Sequence, residues 1–374
     1  MPDFLIGTCM SMCPEKERWM REREGLLHVF EIDPRTQALK RPKADLAKTV
    51  KCFSRPAAGQ LMPDATELRP APVLLATITY LFTKVATRLD HDWAMIYDFI
   101  FDRLRAIRQE VVIQRIRGLQ SIQILEPIVR FHVYAGQRLC EKKISVFDPK
   151  LNSQHLLECL KQLLVLYDET EEQSWIDNPK EDTDNLSISN NRSQMESLYI
   201  LLHLGDVSAL ERGLALPEKY RSKAVQLAMK ISLAWYLKNY VKTFKLIQKL
   251  PPLLTLGVFY NLRLLRRETI KIMSSAYNSK LLTFPGLKLQ EILMYKNIEK
   301  LAADCNLFQL SFAHENVQFQ ASKFRTEVLL ANPDMYFTLQ TYQGFLPTIL
   351  FKTDGTGLIS EQSSVGGNNV LNPS

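Results

Sequence analysis

Cys9 and Cys13 open the chain within "GTCMSMCPEKERWMRERE" (Gly7 to Glu24), three residues apart and directly ahead of a proline and a dense run of charge. Thiols at this spacing suit half of a metal site, a reactive nucleophile, or the turn that starts a helix. The helix has the most support. Pro14 fits a first helical position, where a missing backbone N–H costs nothing. Glu15 and Glu17 then fall near the positive end of the helix dipole. Glu17 with Arg21, and Arg18 with Glu22, are four apart and can meet along one face. Cys13 becomes the N-cap residue, where a thiol pKa can be lowered, so a redox-sensitive thiol stays open. A catalytic thiol needs a base, and the nearest histidine, His28, lies roughly 22 Å along an unbroken helix. Structural zinc takes four ligands from paired motifs, and no second close Cys/His pair follows.

Other polar clusters carry little chemistry. No phosphate-binding loop or nucleotide fingerprint is present, so neither an enzyme nor a cofactor is expected. Asp90–Asp92 ("DHD") could ligate a metal, but it falls between two helical patterns, where polar residues belong. Leu202–Asp206 ("LHLGD") reads as a helix end capped by Gly205. His132, in an apolar helix, reads as a packed core residue.

These residues need a body to hold them, and the composition is that of a folded soluble chain, 46% apolar and 23% charged. Fourteen glycines in 374 residues fall below the roughly 7% that is usual, which argues against turn-rich β architectures. Six scattered cysteines and the lack of a signal pattern point to a reducing intracellular compartment. The longest apolar run, Val73 to Phe82, is too short to span a bilayer, and no membrane partner is expected.

Residues 1–72 read as the N-terminal motif, a helix and a proline-rich connector with a short helix around Asp45–Phe53. Within it "KRPK" (Lys40–Lys43) is a weak nuclear address. Residues 73–278 read as a helical array. Leu156, Leu157, Leu160, Leu163, Leu164 and Tyr167 form a buried helical stripe. By the same logic Val73–Leu89, Asp92–Ile116, Ile122–Cys140 and Ser153–Tyr167 are helices. The acidic segment at about 168–193 reads as a solvated loop, and helical patterns run from Gln194 to about Asn278. Tandem prolines in "LPPLL" (Leu250–Leu254) break them once.

The period then changes. Leu281–Phe284 is a short apolar run, Leu287–Tyr295 and Asn297–Asp304 are short helices, and Phe308, Leu310, Phe312, Val317 and Phe319 alternate as a hairpin around "HEN". Strand, helix, helix and hairpin over 279–326 is the order of a winged helix. Residues 327–374 form a C-terminal extension whose glycine- and serine-rich end reads as disordered. The fold class is mostly α.

Several ordered blocks carry a resemblance. "GTCMSMCPEKER", "ELRPAPVL" (Glu67–Leu74), "YDFIFDRLRAIRQE" (Tyr97–Glu110), "RFHVYA" (Arg130–Ala135), "FDPKLN" (Phe147–Asn152) and the terminal "FPGLKLQEILMY…FQASKF" resemble the Sac-three/GANP family of nuclear mRNA-export scaffolds. Leu104 and Gln109 depart from its arginine block. The resemblance implies a TPR-like or PCI-like helical body ending in a winged helix. It also implies a PCI-type winged-helix partner, a small acidic subunit, and a surface for RNA or DNA. The family's larger members carry further regions, and this length suits a short, single-module branch linked to centrosomes and spindles. Two roles follow: an export scaffold on the nuclear-pore side of the nucleus, or a centrosome and spindle adaptor. The motif residues Gly7, Thr8, Cys9, Met12, Cys13, Pro14 and Glu15 are structural on this resemblance. Arg103, Arg105 and Arg108 share one helix, and Arg105 and Arg108, three apart, read as braces to carboxylates or loop carbonyls, with RNA contact as the alternative.

Charge is unevenly spread over a net +7. Pro217–Lys300 holds 16 Lys/Arg against 4 Asp/Glu, while Asp168–Asp184 holds 8 acids and one lysine. A basic block of that size suits an anionic partner. The candidate phosphate contacts are Arg266, Arg267, Lys288, Lys296, Lys300, Lys323 and Arg325, with Glu291, Glu299 and Asp304 placed to mute some of them. For the opening motif the expected outcome is metal-free protein. Elemental analysis that found stoichiometric zinc, lost on Cys9→Ser/Cys13→Ser, would overturn this.

Overall fold

A computed structural model describes residues 5–56, 63–177, 186–325, 327–328 and 346–351. The expected disordered tail, from Gly355 onward, lies outside them. Helix α1 spans Glu15–Glu24, α2 Ala71–Tyr80, α3 Trp93–Ile113, α4 Gly118–Arg138 and α5 Pro149–Asp177. These are followed by α6 Leu186–Leu202, α7 Val207–Ala215, α8 Lys223–Tyr236, α9 Tyr240–Ile247, α10 Pro252–Phe259 and α11 Leu262–Ala276. No helix among the described residues is long and apolar enough to cross a membrane.

Helix α4 is the centre of the body. From Ser121 to Gln137 nearly all its side chains are buried, as expected of a helix enclosed on every side. It packs along α5 and against α2 and α10, and α10 reaches α6 as well. Phe131 of α4 stacks on Phe82 at 5.3 Å and on Tyr97 at 6.0 Å. Its buried charged residues Glu126 and Arg130 are paired internally. Arg130 donates to Gln194 (2.9 Å), Asn191 (3.0 Å) and the Leu350 carbonyl (3.3 Å), and Glu126 accepts from the Tyr167 hydroxyl. The Leu350 contact ties a C-terminal helix, α14 (Leu346–Phe351), to the body. The sequence pattern gave no sign of that helix.

Several expectations change. The helix from Val73 is interrupted by a wider turn at Leu81–Val85, and Trp93 Nε1 donates to the Ala86 carbonyl at 3.1 Å. Asp45–Phe53 holds only a turn at Leu46–Lys48. Its backbone donors are taken by distant carboxylates: Val50 N–H by Glu31, Cys52 N–H by Glu17 and Phe53 N–H by Asp102. The acidic segment is not a loop over its whole length. Helix α5 continues to Asp177 and α6 begins at Leu186. Charge pairing explains this. Asp168 meets Arg212 at 3.1 Å and also binds Arg192, while Glu171 meets Arg192 at 2.9 Å and Lys219 at 2.8 Å.

At the C-terminal end, β1 (Phe284–Pro285), α12 (Gly286–Leu293), α13 (Ile298–Leu307), β2 (Ser311–Ala313) and β3 (Asn316–Gln318) follow the expected order. The strands form one antiparallel sheet, β1-β3-β2, with Phe284 opposite Val317 and Phe312 opposite Val317 on the other side. The hairpin turns at His314 and Glu315, both at positive φ (50° and 59°), the mirror-image geometry that suits a two-residue hairpin.

His132 is a core residue. Its Nδ1 lies 2.8 Å from Asn152 Oδ1, and Asn152 Nδ2 donates to the Tyr260 hydroxyl (2.8 Å) and the His132 carbonyl (2.9 Å). Burial lowers its pKa from 6.5 to about 3. Between those values the unfolded chain binds a proton that the native ring refuses, so stability falls as pH drops through 6.5 and levels off near 3. The loss is about 2 kcal/mol at pH 5. His132→Gln should lower Tm at neutral pH and make the decline of Tm toward pH 5 shallower. Parallel Tm-versus-pH curves for variant and parent would contradict this.

Candidate functional site

The opening motif is a latch. Thr8 N–H donates to the Ala65 carbonyl at 2.8 Å and Cys9 N–H to the Leu68 carbonyl at 2.9 Å, which lays the strand-like start of the chain along the segment before α2. Gly7 N–H donates to Gln114 Oε1 at 2.8 Å, and a Cβ on Gly7 would overlap the Leu68 carbonyl. The Met12 carbonyl accepts from Arg69 Nη1 and from Lys51 N–H, both at 3.0 Å. Ser11 Oγ donates to the Cys13 carbonyl at 2.6 Å. Pro14 is the N-cap of α1, and its carbonyl takes Arg18 N–H at 3.0 Å. Helix α1 stops at Glu24, with Gly25 left-handed (φ 70°) just after it.

The helix therefore starts one residue later than the sequence pattern places it, and Cys13 is not its cap. Burial first, then the Glu17 carboxylate, push the Cys13 thiol up to about 12 against the pull of Arg21. That environment works against a lowered, reactive thiol at this position. Among the described residues no group of three or more His, Cys, Asp or Glu is gathered so as to hold a metal. Glu17 meets Arg21 as expected, at 3.4 Å, but Arg18 turns to Glu15 (3.6 Å) and Glu22 to Lys43 (3.5 Å).

Behind the motif lie two buried carboxylates that sequence reasoning missed. Glu31, fully buried, accepts from Arg21 Nη1 (2.8 Å), Arg103 Nη2 (3.2 Å), Val50 N–H (3.0 Å) and His28 N–H (3.1 Å). Glu110 accepts from Arg69 N–H (2.7 Å) and Arg69 Nη2 (2.9 Å) and faces Lys51 Nζ at 3.1 Å. Arg21, Lys51, Arg69 and Arg103 are matched by Glu17, Glu31, Asp102 and Glu110, so the cluster keeps no charge for a ligand. It is a structural knot joining α1, the connector and α3. The only sequence signal was position: Arg69 and Glu110 fall inside the two blocks "ELRPAPVL" and "YDFIFDRLRAIRQE".

The arginines of α3 divide by role. Arg103 braces Glu31, and Arg108 reaches His155 (2.8 Å) and Glu158 (3.3 Å). Arg105 departs from the expected brace: its guanidinium lies 3.7 Å from the centroid of the Phe53 ring. Leu104 is core, and Gln109 donates to the Ser54 carbonyl at 2.9 Å.

The basic candidates at the far end also divide. Arg266 is buried, and it donates to the Leu293 carbonyl (3.0 Å) and the Met294 carbonyl (2.5 Å) with its guanidinium over Tyr295. It closes the C-terminus of α12 and is removed from the phosphate-contact set. Arg267 pairs with Glu268 at 3.2 Å and Lys288 with Glu291 at 2.6 Å. Lys296, Lys300, Lys323 and Arg325 are exposed, Lys296 between α12 and α13 and Lys300 in the first turn of α13. Asp304, expected near Lys300, accepts from the Tyr295 hydroxyl at 2.6 Å. Lys296 also stands at a groove of about 540 Å³ between α9–α11 and α12, lined by Ile247, Leu250, Phe259, Leu287 and Met294.

Comparison with known proteins agrees with this architecture. The SAC3/GANP family profile matches residues 12–314, from the motif to the hairpin turn. The chain belongs to the SAC3/GANP family. It is 28% identical over 342 residues to SAC3 family protein 1 of Schizosaccharomyces pombe, covering 86% of this chain and 31% of that protein. It is 28% identical over 304 residues to Protein xmas of Drosophila melanogaster, covering 74% and 14%. It is 33% identical over 175 residues to SAC3 family protein B of Arabidopsis thaliana, covering 45% and 10%. The chain thus spans at most about a third of the length of these relatives.

Removing one partner from a buried charge knot leaves the other charges unpaired, at a cost of about 3–5 kcal/mol. Glu31→Gln should therefore lower the urea midpoint strongly, whereas Glu15→Gln on the exposed side of α1 should leave it nearly unchanged. Equal midpoints for the two variants would show that the knot carries no such weight.

Proposed function

We propose that this chain is a non-catalytic scaffold of nuclear mRNA export. In this reading the helical body and the terminal strand–helix–helix–hairpin module, a winged helix by its element order, are one rigid platform of the PCI-like kind. It pairs with a PCI-type winged-helix protein and a small acidic subunit at the nuclear-pore side of the nucleus. The observation that carries the reading is that the family match runs unbroken from the latch motif through the body into the terminal module. The internal neutrality of the motif's charge knot supports a scaffold over an enzyme, since the residues that looked most chemical are spent on holding elements together. Exposed Lys296, Lys300, Lys323 and Arg325 on the module support sequence-tolerant phosphate contact. Burial of Phe308 and Phe319 leaves these rings unavailable for base stacking.

A tagged copy should give a nuclear-rim signal, and its depletion should hold polyadenylated RNA in the nucleus. Co-expression with a PCI-type partner should yield a complex that survives gel filtration. Paired perinuclear foci with normal polyadenylated RNA distribution would replace the export role with the centrosome role.

A further inference from the structure

From Lys219 to Arg267 the chain carries eleven Lys/Arg and no Asp or Glu. The structure sorts these cations. Lys219 pairs with Glu171, Arg221 is held by the Leu216 and Leu214 carbonyls, and Arg266 and Arg267 are engaged as described above. Lys242, Lys245 and Lys249 are different. All three are exposed and none has an acidic partner among the described residues.

Lys242 and Lys245 lie on α9, and Lys249 in the turn just after it. Thr243, Phe244 and Ile247 are the buried residues of that helix. At 3.6 residues per turn, Lys242 and Lys245 fall within an arc of about 60° on the opposite side, and Lys249 is exposed in the turn that follows, its N–H bonded to the Leu246 carbonyl at 3.0 Å. The row has chemistry at both ends. Tyr236, the last residue of α8 and four residues before α9, is 51% exposed, and Tyr277, in contact with Tyr240 at the start of α9 and 5.3 Å from the sheet ring Phe284, is 49% exposed. At its end, Gln248 lines the groove that Lys296 also lines.

We propose that the outer face of α9 and the turn after it form a track for single-stranded nucleic acid, with Lys242, Lys245 and Lys249 on successive phosphates and Tyr236 and Tyr277 offered to bases. This rests on the nucleic-acid part of the reading above and moves its main contacts from the winged-helix module to the helical body. Lysines that retain no internal acid release the most counterion on meeting phosphate. Exposed tyrosine faces accept unstacked bases, which only a single strand supplies cheaply, so a duplex is the poorer ligand. An acidic peptide would use the lysines but gain nothing from the tyrosines.

The test uses the full chain and fluorescence anisotropy with a labelled oligouridylate of roughly 20 nucleotides, a duplex of equal length, and polyglutamate. Salt is raised from about 50 to about 200 mM. Lys242→Glu/Lys245→Glu/Lys249→Glu should raise the oligouridylate Kd by about tenfold or more and shallow the logarithmic salt slope by about 2, at about 0.7 per contact. The milder Lys→Gln triple should show the same direction, and far-UV circular dichroism should match the parent for both. Tyr236→Ala should weaken oligouridylate more than duplex. Loss of binding only on Lys296→Glu/Lys300→Glu/Lys323→Glu would overturn the track and leave the module as the site. Unchanged binding in both triples would overturn the track and the nucleic-acid reading together. Polyglutamate binding that the α9 triple abolishes, with oligouridylate indifferent, would also overturn the proposal and assign the row to an acidic protein.

Discussion

The Glu31 carboxylate is the point on which the N-terminal half depends. Alone and desolvated it would be among the most destabilising groups in the molecule. It is tolerated because two guanidiniums and two peptide N–H groups converge on it from α1, the connector and α3. That demand fixes other features in turn. Arg21 must approach from the last turn of α1, so α1 must end close by, and Gly25 turns it there. The Val50 N–H must point inward, so the connector cannot be helical at that point. The latch strand then closes over the second carboxylate, Glu110, through Arg69 and Gln114.

Much of the architecture was legible from periodicity. The stripe from Leu156 to Tyr167 and the alternation from Phe308 to Phe319 each specify one buried face, and all of their residues are buried except the half-buried Leu157 and Phe312. What was not legible shares one physical cause: long-range polar pairing. Glu31 and Arg103 are 72 residues apart, and both sit among other charged residues, where exposure is the ordinary expectation. Helix α5 extends into an acidic stretch with little apolar content, where Arg192, Arg212 and Lys219, from later elements, neutralise Asp168 and Glu171. The failed helix at Asp45–Phe53 has the same origin, since remote carboxylates claimed its donors.

The candidate binding residues show the same division from the other side. A list drawn from charge alone placed Arg266 with Lys296, although one is a buried carbonyl clamp and the other is solvated. Local acids separated the cations further, silencing Arg267 and Lys288 by neighbours on their own helices. The uncompensated cations of α9 stood inside the basic block counted from sequence, yet only the helix's buried face shows that Lys242 and Lys245 point the same way.

Arg266 has a mechanical meaning. It belongs to the last helix of the body and grips the final carbonyls of the first helix of the terminal module, with Tyr295 stacked beneath it. A two-point grip with a flat ring under it resists rotation as well as separation. The junction therefore behaves as a welded bracket rather than a hinge, and torque applied to the module would be delivered through α11 into the packed body. Whatever docks at that end meets a surface whose orientation is set before it arrives.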